Sequence, residues 1–103
     1  MSEISIARIE SDDSGQICVT PSLSLERDYR FIYRDASFVR WNDDAKCLYT
    51  TLDVKLVNAE EQLSKIVEAV KREYGEDLLV TKETELVNLT PDAKRALRER
   101  INA

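Results

Sequence analysis

The alternation of apolar and polar residues predicts a β-hairpin at the start of the chain. Ile4 and Ile6 alternate with polar neighbours, and Ile17 and Val19 do so again after a turn-rich segment of serine, aspartate and glycine. This pattern is typical of two half-buried strands joined by a tight connection. Pro21 has no N–H to donate to a neighbouring strand, so we expect the second strand to end there.

The next segment alternates as well and predicts further strands. Tyr29, Phe31 and Tyr33 would share one face of a strand, because successive side chains point to opposite faces. The short polar residues 42–45 are suited to a turn, and a return strand is expected over 46–52. Short turns leave no room for helical crossovers, so these strands are expected to form an antiparallel meander.

A long amphipathic helix is predicted over residues 58–75. Asn58 is a suitable N-cap, Glu61 can complete a capping box, and Gly75 can provide a left-handed C-terminal cap. Spacings of three and four predict one apolar stripe, formed by Leu63, Ile66, Val67, Val70 and Tyr74. On this prediction Val67→Asp would unfold the domain, because it places a charge in the stripe.

The end of the chain carries an extended segment and a second helix. Residues 78–81 and 85–89 favour extended structure, and the pattern allows either one bent strand or a hairpin across 82–84. Thr90 followed by Pro91 is a strong helix start, since proline at the first helical position loses no hydrogen bond.

These elements predict a single α+β domain over residues 1–103. The order is β-β-β-β-α-β-α, and the expected sheet is a mostly antiparallel β-meander of four to five strands. We expect the long amphipathic helix to pack on one face of this sheet. The short C-terminal helix is expected to cover a sheet edge or to contact another subunit.

Composition favours a folded domain in water. The chain has 103 residues, of which 43% are hydrophobic and 34% are charged, which is too apolar for a disordered chain and too charged for a membrane protein. The start of the sequence shows neither a signal peptide nor a membrane span. Two cysteines in such a chain fit reduced thiols, so a cytoplasmic location is expected.

Missing residue types exclude several common chemistries. The chain has no histidine, which excludes Ser-His-Asp catalysis and histidine-based zinc sites. Its two glycines do not suffice for a glycine-rich phosphate loop. A net charge of −5 argues against general nucleic-acid binding, which depends on lysine and arginine. The sequence therefore predicts no catalytic, cofactor or metal site and favours a non-enzymatic protein.

Paired aspartates and the two cysteines have simple structural interpretations. Asp12–Asp13 and Asp43–Asp44 lie in predicted turns, where aspartate is favoured for local hydrogen bonding, and neither pair has the ligand spacing of a calcium loop. Cys18 and Cys47 are most simply small apolar fillers.

One segment stands out as a candidate contact surface. Five of the seven aromatic residues lie within residues 27–41, together with four arginines. Arginine, tyrosine and tryptophan are the residues that most often anchor protein interfaces. The predicted interface or ligand surface consists of Arg27, Tyr29, Arg30, Tyr33, Arg34, Arg40 and Trp41.

Four interpretations of this segment remain open on the sequence. The first places the aromatic row in the core under the long helix. The second, which we favour for function, is a binding or regulatory module that acts through protein contacts, as a homodimer. The third is a sheet face that binds a small anionic ligand or stacks single-stranded nucleic acid. The fourth is an enzyme that uses acid–base chemistry at Asp35, Asp43 or Tyr49.

Overall fold

The central helix begins and ends where its capping residues predict. A computed structural model describes residues 2–22, 29, 32 and 38–100. Helix α1 spans Ala59–Tyr74, and Asn58 and Glu61 form a reciprocal capping box before it. Gly75 follows with φ 66°, in the left-handed region that glycine enters without strain. The helix boundaries predicted from the sequence are therefore confirmed.

The buried face of α1 differs in part from the predicted stripe. Leu63, Ile66 and Val70 have no exposed surface, whereas Val67 is only partly buried. The buried face of α1 is therefore centred on Leu63, Ile66 and Val70, with Val67 at its border. This face also includes Gln62, a polar residue that is fully buried. Val67 lies at the border of the buried face, so an aspartate there is expected to cost less stability than one at Ile66.

Strands β1 (Ser2–Ser11) and β2 (Ile17–Pro21) form the predicted antiparallel hairpin. A bulge interrupts the register between Ile6 and Arg8. It shifts the alternation by one residue, so that Ile9 is buried with Ile6 although their positions differ by three, an odd number.

Strands β3 (Val39–Asn42) and β4 (Cys47–Thr50) form a second antiparallel hairpin. β4 lies against β2, with Val19 opposite Leu48, so the two hairpins join in one sheet. Both residues of this pair are completely buried and face α1 as part of the hydrophobic core.

The strand predicted from Tyr29 to Arg34 is wrong for the residues that the structure describes there. Ile32 lies in a 3₁₀ turn and donates its N–H to the carbonyl of Tyr29 at 3.1 Å. Both side chains are fully buried, because a spacing of three brings residues to the same side of such a turn. The remaining residues of this predicted strand lie outside the described part of the chain.

The extended segment after α1 is one interrupted strand and not a hairpin. β5 (Glu76–Leu79) pairs in parallel with the first half of β1, and β6 (Glu85–Val87) pairs in parallel with its second half. Between them, the Thr84 hydroxyl accepts a bond from the Thr81 N–H and donates to the Ile6 carbonyl at 2.6 Å. The buried Thr84 therefore links the segment between β5 and β6 to β1.

The parallel pairing follows from the position of α1 in the chain. The strand order is β3-β4-β2-β1-β5, with β6 also beside β1. Two antiparallel pairings separate β4 from β1, so β4 and β1 run in the same direction. A long helix after β4 returns the chain to the starting end of the sheet, and the next strand must then run parallel to β1.

Helix α2 spans Pro91–Glu99 and begins at the predicted cap, where the Thr90 hydroxyl accepts the N–H of Ala93. Leu97 is its fully buried residue. Arg100 follows the helix and donates to the Ser64 hydroxyl at 3.2 Å. Arg100 also lies 4.0 Å from the Glu60 carboxylate of α1. α2 therefore packs beside α1 through the buried Leu97 and the polar contacts of Arg100.

The architecture confirms the predicted fold class. The chain is an α+β fold in which a curled, mixed sheet, antiparallel at three of its strand pairings, carries the long helix on one face. The element order β-β-β-β-α-β-α also agrees, when β5 and β6 are counted as one interrupted strand. Within the described part of the chain, neither helix has the length and apolar content that a membrane crossing requires.

The Thr50 hydroxyl offers a simple test of this core. Thr50 is fully buried, and its Oγ1 atom has no hydrogen-bond partner. Thr50→Val removes the unsatisfied hydroxyl and preserves the shape, so we expect about 1 kcal/mol of added stability and a melting temperature higher by roughly 4–8 °C. The exposed neighbour provides the control: Thr51→Val should change the melting temperature little, and a destabilised Thr50→Val protein would contradict the described environment.

Candidate functional site

A cluster of aromatic side chains lies at the β3 end of the sheet, and we call it the aromatic edge. Its members are Tyr29, Phe38, Trp41 and Tyr74. The Tyr29 ring lies 5.2 Å from that of Trp41 and 5.0 Å from that of Tyr74, the second contact being edge-to-face. These separations are typical of favourable aromatic pairs. Tyr29 is therefore the buried centre that holds the other two rings in place.

The outer members of the aromatic edge remain partly exposed. Trp41 lies two residues after the buried Val39, so both point toward the helix side of the sheet. Phe38, Trp41 and Tyr74 are each only partly covered, although they pack against the core. The result is an apolar, rigid surface beside the last described strand of the sheet.

Charged groups of both signs surround this surface. The Lys65 ammonium lies 5.9 Å from the centre of the Phe38 ring, within reach of a cation–π interaction. Asp43 accepts a hydrogen bond from the indole N–H of Trp41 at 3.3 Å and pairs with Lys46 at 3.2 Å.

Arg40 modifies the outer border of β3. The Phe38 carbonyl accepts the Thr51 N–H, so the next carbonyl, that of Val39, points away from β4. Arg40 donates to this Val39 carbonyl at 3.2 Å. A side chain that hydrogen-bonds to an outward-facing carbonyl makes this carbonyl unavailable to a further strand, which disfavours extension of the sheet at this edge. A partner at this end is therefore expected to contact side chains and not to extend the sheet.

The structure divides the predicted contact surface into three groups. Tyr29 is fully buried and belongs to the core. Arg40 and Trp41 are partly exposed on opposite faces of β3. The remaining predicted residues, Arg27, Arg30, Tyr33 and Arg34, lie outside the described residues.

Two residues of this site were not predicted from the sequence. Tyr74 had been assigned to the buried stripe of α1, and Lys65 had not been part of the predicted contact surface. Both come from the helix, far along the chain from β3, and the packing of α1 across the sheet brings Lys65 to Phe38 and Tyr74 to Tyr29. The two residues are nine positions apart on one predicted helix, and the helical pattern does not indicate which strand each of them contacts.

The opposite face of the sheet has a different character. On β3 and β4 the side chains that point away from α1 include Arg40, Asn42 and Tyr49. Among the described residues of these two strands, Tyr49 is the aromatic one on this face. Stacking of single-stranded nucleic acid uses several exposed rings, so this face supports that alternative less well than the aromatic edge supports a protein contact.

The aspartates of the enzyme alternative have local roles where they are described. Asp43 contacts Trp41 and Lys46, as given above, and the Asn42 side chain accepts the N–H groups of Asp44 and Ala45. In the first turn, a hydrogen bond from the Ser14 hydroxyl is the main cause that holds the pKa of Asp12 below its ordinary value. These contacts organise turns, as the sequence analysis expected, and Asp35 lies outside the described residues.

Comparison with known proteins places the chain in a family. The model of a family described as Integron Cassette Protein Hfx_Cass5 matches residues 4–84. The chain belongs to this family. The matched region begins within β1 and includes β2 to β5, α1 and the whole aromatic edge.

A solved structure of a cassette-family protein also matches. Its title is "Structure from the mobile metagenome of North West Arm Sewage Outfall: Integron Cassette Protein Hfx_Cass5"; it is 28% identical, the match covers 100% of this chain and 99% of that chain, and the TM-score is 0.45. No curated protein matches the chain. The descriptions of these cassette proteins name no ligand, partner or reaction, so a function must be argued from the residues themselves.

Proposed function

We propose that this cassette-family protein is a non-enzymatic binding module that acts through protein contacts, and that it associates with a second copy of itself through the aromatic edge. The observation that carries the proposal is the pair of partly exposed rings, Trp41 and Tyr74, that both contact the buried Tyr29, together with the partly exposed Phe38 directly before β3. Large rings held rigid before binding lose little conformational entropy in a complex.

The composition of this surface supports a protein partner. Aromatic residues and arginine are enriched at the centres of interfaces, and both occur here on one short strand. Leu56 is the more exposed large hydrophobic residue, at 79%, but it lies in the turn before α1. A single exposed leucine needs no functional explanation, whereas a cluster of rings from two elements offers a continuous contact.

The local charges favour a second copy as that partner. The chain carries a net charge of −5, so two copies repel each other over most of their surface. Beside these rings lie the cations Lys65 and Lys46 and the carboxylate of Asp43, and Arg40 reaches the outer border of β3 from the other face of the sheet. In a two-fold contact a patch meets its own copy, and a patch with both signs can place the cations of one chain against the carboxylates of the other.

The proposal also places the protein in the cytoplasm. Cys18 and Cys47 are both free thiols, which supports a reducing compartment.

The experiment that tests the proposal is light scattering during size exclusion on the wild type and on Arg40→Glu. We expect a dimer for the wild type. Arg40→Glu should shift the population to monomer, because it adds a carboxylate to each copy of a contact that already contains Asp43 and Asp44.

A matched control reverses the same charge elsewhere. Arg95→Glu changes an exposed residue of α2 and should leave the mass unchanged. Circular dichroism should show that all three proteins are folded. A wild type that is monomeric at high protein concentration would contradict the proposal, and so would a dimer that survives Arg40→Glu but dissociates in Arg95→Glu.

A further inference from the structure

The two cysteines lie on one face of the sheet, although 28 residues separate them in the sequence. Val19 of β2 faces Leu48 of β4, and both point into the core under α1. Cys18 and Cys47 each precede one of these residues, so both point to the other face. In this antiparallel register they are diagonal neighbours on that face.

The two thiols differ in access to solvent. Cys18 is partly exposed, whereas Cys47 is 1% exposed. Cys47 is nevertheless not part of the hydrophobic core cluster, which lies on the helix side. The pair therefore consists of one solvent-accessible sulfur, that of Cys18, and one buried sulfur, that of Cys47.

From this geometry we infer that Cys18 and Cys47 form a thiol–disulfide exchange site that reacts with low-molecular-weight disulfides, with Cys18 as the attacking sulfur and Cys47 as the resolving sulfur. The inference does not depend on the proposed self-association.

The reaction has two steps that balance in atoms and electrons. The Cys18 thiolate attacks one sulfur of the small disulfide, a new S–S bond forms, the old one breaks, and the leaving thiolate takes up a proton. The Cys47 sulfur then attacks Cys18, releasing the second small thiol, which takes the proton that Cys47 loses. Two protein thiols are oxidised to one disulfide, and one small disulfide is reduced to two thiols.

Electrostatics around the pair support these roles. The hydrogen bond from Cys47 lowers the pKa of Cys18 to about 7, although burial and the carboxylates of Asp12 and Glu10 act in the opposite direction. Arg8 on β1 also lowers the pKa of Cys18, and Tyr49 is the titratable residue opposite Cys18 on β4. The same hydrogen bond and burial raise the pKa of Cys47. An attacking thiol reacts best when its pKa lies near the ambient pH.

The register indicates that the disulfide is easily reduced. Diagonal neighbours stand about 7–8 Å apart at their Cα atoms, slightly beyond the roughly 4.4–6.8 Å of ordinary disulfides. The strands must therefore shift to close the bond, and strained disulfides have the higher reduction potentials of labile and regulatory bonds.

The test uses oxidised glutathione as the probe and intact mass after an acid quench as the readout. The wild type should lose two hydrogens and retain no glutathione. Cys47→Ser and Cys47→Ala should both stop with one glutathione on Cys18. Cys18→Ser should remain unmodified while folded, because the remaining sulfur is buried, and react only in denaturant.

A second readout separates the role of the hydrogen bond from mere proximity. The reaction rate of the wild type should rise with pH through a midpoint of about 7. Cys47→Ser retains a donor and should keep a low midpoint, whereas Cys47→Ala should raise it. At neutral pH the alanine variant should react about threefold more slowly, because its thiolate fraction falls more than its nucleophilicity rises.

The inference would be overturned by a wild type that accumulates the same mixed disulfide as Cys47→Ser, or by a folded Cys18→Ser protein that reacts as fast as the wild type. Equal midpoints in the serine and alanine variants would overturn the assigned role of the Cys47 hydrogen bond. Circular dichroism on each variant ensures that the masses report folded protein.

Discussion

Ile66→Asp is expected to leave the protein unfolded at room temperature. Ile66 has no exposed surface and lies in the core between α1 and the sheet. An aspartate there would place a carboxylate among apolar side chains, where burial without a partner costs several kcal/mol. Because small domains have only about 5–15 kcal/mol of stability in total, the loss removes most of it. Far-ultraviolet circular dichroism and a urea titration measure the effect.

Two neighbours of Ile66 on the same helix provide graded controls. Val67 is only partly buried, so an aspartate there can reach water and Val67→Asp should remain folded with a lowered melting temperature. Glu68 is exposed, and Glu68→Gln should be nearly silent. An order in which Val67→Asp is more damaging than Ile66→Asp would show that the buried face of α1 is rotated from the one described.

Gln62→Leu is expected to destabilise the protein by about 2–5 kcal/mol although leucine is the more hydrophobic residue. The Gln62 side chain is fully buried and connects α1 to the first hairpin. Its Oε1 accepts the Ile17 N–H at 2.9 Å, and its Nε2 donates to the Gly15 carbonyl at 2.9 Å. Leucine leaves both backbone groups without partners, and a urea titration measures the loss of stability.

Gln62→Glu separates the two hydrogen bonds by pH. The introduced carboxyl can accept from Ile17 in either state, but it can donate to the Gly15 carbonyl only when protonated. Burial raises its pKa in the folded state above the value of about 4.3 expected for an unfolded chain. The stabilising contribution is therefore complete below that value and is lost as the pH rises through the folded-state pKa.

The difference in the free energy of unfolding between Gln62→Glu and the wild type should therefore become smaller in mild acid. The difference between Gln62→Leu and the wild type should not become smaller. A constant difference for Gln62→Glu across the acidic range would contradict the described role of Gln62.

Sequence patterns that span a few residues predicted the helix caps and the first hairpin, because these features depend on neighbouring residues. The caps of α1 and α2 and the first hairpin could be predicted because each depends on residues a few positions apart. The break in alternation between Ile6 and Ile9 was present in the sequence, and the structure explains it as a bulge.

Features that depend on distant pairings could not be predicted in this way. The parallel pairing of β5 and β6 with β1 arises from the crossover of α1. The alternation of apolar and polar residues in a strand is the same whether its neighbour runs parallel or antiparallel. Gln62 was missed because a polar residue on a helix usually lies at the surface, and its backbone partners are distant in the sequence. The cysteine pair required the register of two strands that are not consecutive.

The candidate site was predicted only in part for the same reason. The segment 27–41 was selected for its composition, and composition does not distinguish a buried ring from an exposed one. Tyr29 proved to be core, whereas Trp41 remained partly exposed. The contribution of α1 to the aromatic edge became visible only when the helix was placed across the sheet.

The most direct test of the proposed self-association is the fluorescence of Trp41 over a dilution series, because it is the one tryptophan in the chain. We predict that its emission moves to longer wavelength on dilution, as the dimer dissociates and the indole becomes more exposed to water. Arg40→Glu should show the diluted spectrum at every concentration. An emission that stays constant while light scattering records a change from dimer to monomer would place the contact elsewhere and contradict the proposal.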